Sequence, residues 1–398
     1  MYLSQVRNKN IILNALLLVF IFTILSCQGK KKKRLLIKPN ILAKEAVADT
    51  VTPELTFSEK SFMVDSFFTE ISEKNDFNGT VLVSHNDKVI YRKAFGYANF
   101  GTKELLQENS VFQLASISKQ FTAVAVLMLY EKGLINFDDD ITKYFPDFPY
   151  SGITIRMLLS HRSGLPNYMY FCDEYYTNKS VALTNHDVID LMIKYKPPLY
   201  FQRDRKFNYC NTNYCLLASI IQEVTKIPFD VFITRKIFIP LGMNRSFIGN
   251  SIDFEYKDLL TTGYDENNKP INPDYLDGIL GDKGIFSCIN DLNKWDKALY
   301  TNKLIKQSTL ALALSPANKD MIGNRNYGYG WRIKFLDDTP LYYHGGWWKG
   351  YNTYYLRNPK DHSSIIILSN KVNWSFNSIT SFLNRFYNYK GSVEYETI

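Results

Sequence analysis

The chain has 398 residues, of which 45% are hydrophobic and 15% aromatic, and it carries a formal net charge of +8. Eight of its 47 basic residues lie before residue 40, where no acidic residue occurs. The rest of the chain therefore carries 39 basic and 39 acidic residues. Because phosphate binding requires a basic face, this neutral body argues against a nucleic acid as partner. The length is large for one hydrophobic core and predicts a two-lobed body.

The first residues have the order of an export signal. Arg7 and Lys9 precede an apolar stretch, residues 11–26, that ends directly before Cys27. Its 16 residues fall short of the roughly 20 that a membrane-spanning helix requires. We therefore predict a lipoprotein signal peptide over residues 1–26 and a lipid on Cys27, leaving a mature chain of 372 residues. A retained membrane anchor is the alternative.

Residues 27–56 are predicted to form a flexible linker, because they are rich in Lys and Ala and contain Pro39 and Pro53. The cationic run at residues 30–34 fits a solvated segment that also touches anionic lipid headgroups. We expect an exported lipoprotein of the bacterial cell envelope that faces the periplasm or the cell surface. Residues 57–398 are the predicted folded domain. Which membrane holds the protein, and its oligomeric state, stay open.

The remaining cysteines are Cys172, Cys210, Cys215 and Cys288. They form no Cys-x-x-Cys pair and no Cys/His pattern with ligand spacing, so we expect no metal site. Export permits disulfides, but the sequence does not assign a pairing. Small apolar packing residues are the expected role for all four.

The elements are predicted in chain order from periodicity. Residues 61–73 have the spacing of a helix, and residues 79–83 and 88–95 read as strands around a turn at residues 85–87. Residues 112–115 lead into an apolar helix that ends near Gly133.

A helical middle region follows to about residue 260, including a helix at residues 216–224. Strand-like runs return at the end, and they comprise residues 329–334, 341–343, 352–357 and 364–369. Strands at both ends of a helical middle predict one sheet with a helical insertion.

Ser116 and Lys119 begin the apolar helix, and their spacing places both side chains on one helix face. An alcohol is a weak nucleophile unless a neighbouring base takes its proton during attack. A lysine amine has a solution pKa of about 10.4, so it acts as that base only where its surroundings lower the pKa. Serine hydrolysis is therefore the leading hypothesis.

Three motifs follow one another along the chain: Ser116-x-x-Lys119, Tyr209-Cys210-Asn211 and His344-Gly345-Gly346. Together they resemble the serine β-lactamase and penicillin-binding protein superfamily, nearest its class C-like branch of serine hydrolases and esterases. The similarity extends from residue 77 to residue 370. Shorter stretches agree with it in order, namely residues 112–116, 158–165, 240–243, 328–331 and 368–370.

The resemblance implies an α/β (α+β) fold of the β-lactamase/DD-peptidase type, with an antiparallel β-sheet flanked by helices and a mainly helical second lobe. It also implies an acyl-enzyme on Ser116, with Lys119 and Tyr209 sharing the proton transfers. Which of these two is the base stays open. No metal or organic cofactor is implied, and the expected partner is a small-molecule or peptide substrate.

The other motif residues are expected to bind substrate. Asn211 can donate to a substrate carbonyl if its segment is extended, or it caps the following helix. His344, Gly345 and Gly346 are expected on a strand that lines the cleft, although a Gly-rich turn is the alternative. In the family, the residue after this triplet, here Trp347, shares the oxyanion hole with the backbone N–H of the nucleophile.

The sequence departs from the lactamase pattern at His344, where many β-lactamases and penicillin-binding proteins have a lysine. A histidine is mostly neutral near pH 7 and supplies no permanent cation, which disfavours strong β-lactam hydrolysis. Ester, D-amino-acid peptide and β-lactam substrates stay open. A non-catalytic binder of cell-wall fragments with the same fold is the competing class. His161 and His344 are weak candidates for a Ser-His-Asp triad, because no Gly-x-Ser-x-Gly elbow surrounds a serine.

Overall fold

A seven-stranded antiparallel sheet organises the molecule, and its strand order is β2-β1-β12-β11-β10-β9-β8. Two small sheets accompany it, β3-β4 and β5-β7-β6. The strands are β1 Gly79–His85, β2 Lys88–Phe95, β3 Tyr97–Asn99, β4 Glu104–Leu105, β5 Phe112–Gln113, β6 Phe247–Ile248, β7 Ile285–Ser287, β8 Arg325–Tyr327, β9 Arg332–Leu336, β10 Thr339–Trp348, β11 Tyr351–Asn358 and β12 Ser363–Ser369.

These coordinates come from a computed structural model that describes residues 55–74, 77–249, 259–321, 323–336, 339–372 and 376–386. The predicted signal peptide, Cys27 and nearly all of the linker lie outside the described residues. Within these ranges no helix combines the length and the apolar character needed to span a bilayer.

Helices cover both faces of the main sheet. They are α1 Phe57–Glu73, α2 Ser118–Glu131, α3 Ile155–Leu159, α4 Tyr168–Tyr175, α5 Asn185–Tyr195, α6 Asn211–Thr225, α7 Phe229–Ile233, α8 Ile239–Leu241, α9 Ile289–Ala298, α10 Gln307–Leu314 and α11 Phe376–Phe386. The predicted fold, an antiparallel sheet with a helical insertion between its first two and last five strands, is confirmed.

The central strands are apolar on both sides because helices pack on both. Val81 and Ile367 share a buried cluster with α1 and α11, whereas Leu82, Ile366 and their neighbours contact the helical insertion. Side chains alternate between the two faces of a strand. A strand between two helical layers therefore has the near-continuous apolar sequence seen in β1 and β12.

Helix α2 is the centre of the insertion, since every residue from Ser118 to Leu129 is buried. A 3₁₀ turn, Ala115–Ile117, leads into it, and β10 and β11 of the main sheet pack against this turn. The helix start is therefore fixed between the sheet and the insertion. All four described cysteines are buried free thiols, which confirms their expected packing role.

Two predicted boundaries differ from the structure. The strand expected at residues 329–334 is broken, because Gly330 has a φ of +86° and its position lies against the backbone of α2. The helix expected from residue 216 begins at Asn211. Its polar first turn is buried with partners, since Thr212 donates to Pro166 O at 2.7 Å and Asn213 accepts from the Ser163 hydroxyl at 2.6 Å.

We predict that Phe68→Ala destabilises the protein strongly, because Phe68 is fully buried between α1 and the sheet. Truncating a buried phenylalanine removes apolar contacts and leaves a cavity, which costs about 3–5 kcal/mol. Urea unfolding measures this loss. Phe62→Ala on the same helix is the matched control, since Phe62 is 74% exposed. An equal loss in both variants would contradict the packing described.

Candidate active site

Lys119 and Ser116 form the centre of the candidate site. The Lys119 side chain is completely buried, and its Nζ donates to Ser116 Oγ at 3.0 Å and to the backbone oxygen of Asp282 at 2.9 Å. Ser116 itself is partly exposed at the 3₁₀ turn before α2. The hydroxyl therefore combines access from solvent with direct contact to a buried amine, as an activated nucleophile requires.

The backbone before Ser116 is held in an unusual conformation. Ala115 has a φ of +49°, a left-handed conformation that is strained for a residue with a Cβ. Both backbone polar groups of Leu114 are hydrogen-bonded. Its N–H donates to Ile285 O and its carbonyl accepts from the Thr353 hydroxyl, each at 2.8 Å. These bonds from β7 and β11 hold the turn that presents Ser116.

Tyr209 lies against the buried lysine. The Lys119 Nζ is 4.9 Å from the centre of the Tyr209 ring, and the Arg332 guanidinium is 5.3 Å from it. The Tyr209 hydroxyl oxygen is buried and has no hydrogen-bond partner in the described part of the chain. The structure thus brings Ser116, Lys119 and Tyr209 together, while leaving the phenol available to a further group.

Asn211 occupies the first position of α6, so its segment is helical and the expectation of an extended segment is wrong at this residue. The cap position is Cys210, which has extended backbone and no side-chain capping bond, so the capping alternative for Asn211 is also wrong. The Asn211 amide nitrogen lies 3.0 Å from the sulfur of Met169 in α4, and its Oδ1 is buried without a partner in the described residues.

His344 lies on β10, as expected for a strand along the cleft, and the alternative of a Gly-rich turn is wrong. Its Nε2 is 3.1 Å from the Tyr327 hydroxyl, which is 3.3 Å from Nε2 of His161 on its other side. The N–H of Cys210 donates to His161 Nδ1 at 3.1 Å, and His344 Nδ1 is 2.7 Å from Gly345 O.

These contacts assign the protons along the chain of rings. His161 Nδ1 accepts, so its Nε2 carries the proton and donates to Tyr327, which donates to His344 Nε2. Both histidines are then neutral. Burial lowers the pKa of each histidine well below 6.5, and the nearby charges of Lys119 and Arg332 lower it further.

Gly346 allows β10 to approach the nucleophile turn. A Cβ at this position would overlap the Leu114 carbonyl oxygen and the Thr353 hydroxyl, whereas one at Gly345 would meet its nearest atom at 3.8 Å. Trp347 follows on the same strand and is 53% exposed, so its ring stands at the surface of the site.

Three residues of the site were missed by the sequence analysis: Tyr327, Arg332 and Asp282. Tyr327 and Arg332 are cross-strand partners on β8 and β9, so only the sheet register reveals that they meet beside His344. Asp282 contributes a backbone oxygen, which carries no sequence signal. His161 accepts a hydrogen bond from the backbone between Tyr209 and Asn211, and the sequence motif did not predict this contact.

Comparisons with known proteins match most of this chain. The Beta-lactamase family model matches residues 64–385. Penicillin-binding protein 4* of Bacillus subtilis (strain 168) is 35% identical over 325 residues, covering 77% of this chain and 71% of that protein. A penicillin-binding protein structure from Bacillus halodurans aligns with a TM-score of 0.71 at 23% identity, covering 80% of this chain and 98% of the other.

A further solved structure, the D-amino acid amidase from Ochrobactrum anthropi SV3 complexed with L-phenylalanine amide, aligns with a TM-score of 0.69 at 20% identity. The alignment covers 83% of this chain and 97% of the amidase. Sheet topology and the matched family model define a β-lactamase-fold protein of the serine hydrolase and penicillin-binding-protein type. The chain belongs to the Beta-lactamase family.

We predict that Gly346→Ala displaces the turn before Ser116 and slows reaction of that serine with a fluorophosphonate by about 100-fold, because ångström-scale misplacement has effects of this order. Gly345→Ala is the matched control, since a Cβ fits there. Labelling rates followed by mass spectrometry measure both. Equal rates for the two variants would contradict the close approach of β10.

We predict that stability declines as pH falls below about 6.5, because the unfolded histidines bind protons that the folded, neutral His161 and His344 do not. Each site contributes a slope of up to about 1.4 kcal/mol per pH unit below that value and none above it. Urea unfolding between pH 5 and 7.5 measures the slope. His344→Gln should reduce it, whereas His186→Gln on the surface should leave it unchanged; the reverse order would count against the assignment.

Proposed function

We propose that the protein is a serine hydrolase that acts through an acyl-enzyme on Ser116. The observation that carries the proposal is the 3.0 Å hydrogen bond between the buried Lys119 amine and a partly exposed Ser116 hydroxyl. A lysine with a purely structural role does not need a partly exposed serine as its partner, whereas a nucleophile needs a base at this distance.

The acylation step follows from the positions of the three side chains. Ser116 Oγ attacks the substrate carbonyl carbon and loses its proton to the unit formed by Lys119 and Tyr209. The unpaired Tyr209 hydroxyl is the group available to pass that proton to the departing alcohol or amine. Water then attacks the ester on Ser116 by the reverse proton path and releases the acid.

The oxyanion of the intermediate would be bound by two backbone N–H groups, those of Ser116 and Trp347. Support comes from the packing of β10 against the turn, where Gly346 lets the strand come close to Leu114 and Ala115. The start of α2 adds partial positive charge on the same side. Two fixed donors of this kind are worth several kcal/mol to acyl transfer.

The substrate class proposed is an ester or an amide, of the D-amino-acid peptide or esterase type. His344 is buried, neutral and bonded to Tyr327, so it offers no cation to a substrate carboxylate. The Arg332 guanidinium beside Tyr209 supplies a permanent positive charge in this part of the site. The names of the similar proteins, penicillin-binding protein and D-amino acid amidase, fit such substrates.

For location, we propose a lipoprotein tethered to the bacterial cell envelope through Cys27. The order of cations, short apolar stretch and cysteine in residues 1–27 supports this. Palmitate labelling of the full chain, lost in Cys27→Ala, is the direct measurement. A chain that keeps residues 1–26 after expression in a host with lipoprotein processing would contradict it.

We predict that Ser116→Ala abolishes labelling by a fluorophosphonate and hydrolysis of a p-nitrophenyl ester. Lys119→Ala and Tyr209→Phe should each slow ester hydrolysis by about 10²–10⁴-fold, because each removes a proton-transfer group. Ser118→Ala is the matched control: Ser118 lies in the same turn, but its hydroxyl accepts a backbone hydrogen bond from Ile285 at 3.2 Å.

Labelling that persists in Ser116→Ala would overturn the proposed nucleophile. Wild-type turnover no faster than that of Lys119→Ala, together with saturable binding of a cell-wall peptide, would favour the non-catalytic binder instead. Relative rates for an ester, a D-Ala-D-Ala peptide and a chromogenic cephalosporin then rank the substrate classes.

A further inference from the structure

A second ionisable cluster contacts Lys119 through the backbone oxygen of Asp282 and has no part in the proposed proton path. It consists of Asp282, Lys283 and Tyr168, all of which are buried. Asp282 and Lys283 stand between Gly281 and Gly284 in the loop before β7, and Tyr168 begins α4. Two oppositely charged side chains at adjacent buried positions require specific compensation, because an unpaired buried charge is strongly destabilising.

Tyr168 bridges the two charges. Its hydroxyl donates to Asp282 Oδ2 at 2.7 Å and accepts from Lys283 Nζ at 2.8 Å. The other carboxylate oxygen, Asp282 Oδ1, accepts no hydrogen bond from the described residues and lies 3.8 Å from Lys283 Nζ. Lys283 also donates to Ile279 O at 3.2 Å, so the ion pair is tied to the backbone of its own loop.

The same loop contacts Lys119 and the helix that carries it. The backbone oxygen of Asp282 accepts from Lys119 Nζ at 2.9 Å, and the backbone oxygen of Gly281 accepts from the Thr122 hydroxyl at 2.7 Å. Lys283 Nζ further lies 4.9 Å from the ring centre of Trp348, the residue after Trp347 on β10. The pair therefore links α2, α4 and the strand proposed for the oxyanion hole.

We propose that Asp282 and Lys283 are positioning residues that hold the Lys119 amine beside Ser116 and keep the fixed charge around it balanced. The Asp282 backbone oxygen holds the amine beside Ser116. The Lys283 cation offsets the Asp282 carboxylate, whose negative charge would otherwise stabilise the protonated form of Lys119. This role rests on the proposed function of Lys119 as part of the base.

Titratable groups from several elements surround Lys119. The groups whose charges act on it, or whose side chains contact it, are Ser116, Tyr209, Tyr214, His161, His344, Cys210, Asp282 and Lys283. The two histidines are neutral, and burial raises the pKa of the Cys210 thiol to about 11. The charged groups in this set are therefore Asp282 and Lys283, and the Arg332 guanidinium adds a further positive charge 5.3 Å from the centre of the Tyr209 ring.

The surroundings of Lys283 agree with a cation held by its partner. Burial lowers the pKa of Lys283, while the carboxylates of Asp282 and Asp277 act in the opposite direction. Asp277 accepts from the Trp348 indole at 2.6 Å, which places a second carboxylate at the edge of the cluster. The acidic neighbours of Lys283 thus oppose the loss of charge that burial favours.

The test is a titration of Lys119 that does not depend on turnover. In the full chain labelled with [¹³Cε]lysine, the Lys119 signal is assigned by its absence in Lys119→Met and followed with pH. Lys283→Met should move the Lys119 midpoint up by about one pH unit, and Asp282→Asn should move it down by about one, the size of effect a unit charge exerts through an effective dielectric constant of about 20. The double variant should return close to the wild type.

Lys294→Met is the matched control, because it removes a lysine from another Asp–Lys pair, with Asp291 at 2.8 Å, outside the cluster. Asp282→Asn keeps the shape of the side chain and can still accept from Tyr168, so it decides the question if Lys283→Met does not fold. An unchanged or raised midpoint in Asp282→Asn, or equal shifts in both single variants, overturns the proposal. If the Lys119 midpoint shifts as expected but the wild-type protein is not labelled by a fluorophosphonate, the role of Asp282 and Lys283 is supported and only the proposed hydrolase function is rejected.

Discussion

The burial of the Lys119 amine is the constraint on which the rest of the site depends. A buried amine is costly unless hydrogen bonds hold it, and here the bonds go to Ser116 Oγ and to the backbone oxygen of Asp282. Since α2 is surrounded on all sides, neither the lysine nor the serine can move without disturbing the insertion or the sheet. The same packing that stabilises the fold thus places a hydroxyl and an amine in contact.

A second consequence of burial is the neutral chain formed by His161, Tyr327 and His344. Each ring donates to the next in one direction, so protonation of either histidine would put two donors face to face. The chain connects the segment before α6, which carries Tyr209, to β10, which carries Gly346. It therefore aligns two walls of the site through hydrogen bonds that need no net charge.

Much of this arrangement could be predicted from the sequence, because helix and strand periodicity and the three motifs are local signals. The helix after Ser116, the strand carrying His344 and the meeting of Ser116 with Lys119 follow from residues close in sequence. The helix start at Asn211 could not be predicted, since buried partners from a distant loop satisfy its polar first turn. The position of Arg332 in the site could not be predicted for a similar reason, because only the strand register places it beside Tyr209.

The buried position of His344 suits a neutral side chain. A lysine there would need a partner for its charge, whereas a neutral imidazole takes one bond from Tyr327 and gives one to the backbone of Gly345. The positive charge at this end of the site comes instead from Arg332, which reaches the Tyr209 ring from the neighbouring strand β9. In this chain the two tasks therefore lie on different strands: β10 approaches the nucleophile turn at Gly346, and β9 presents the Arg332 charge near the phenol.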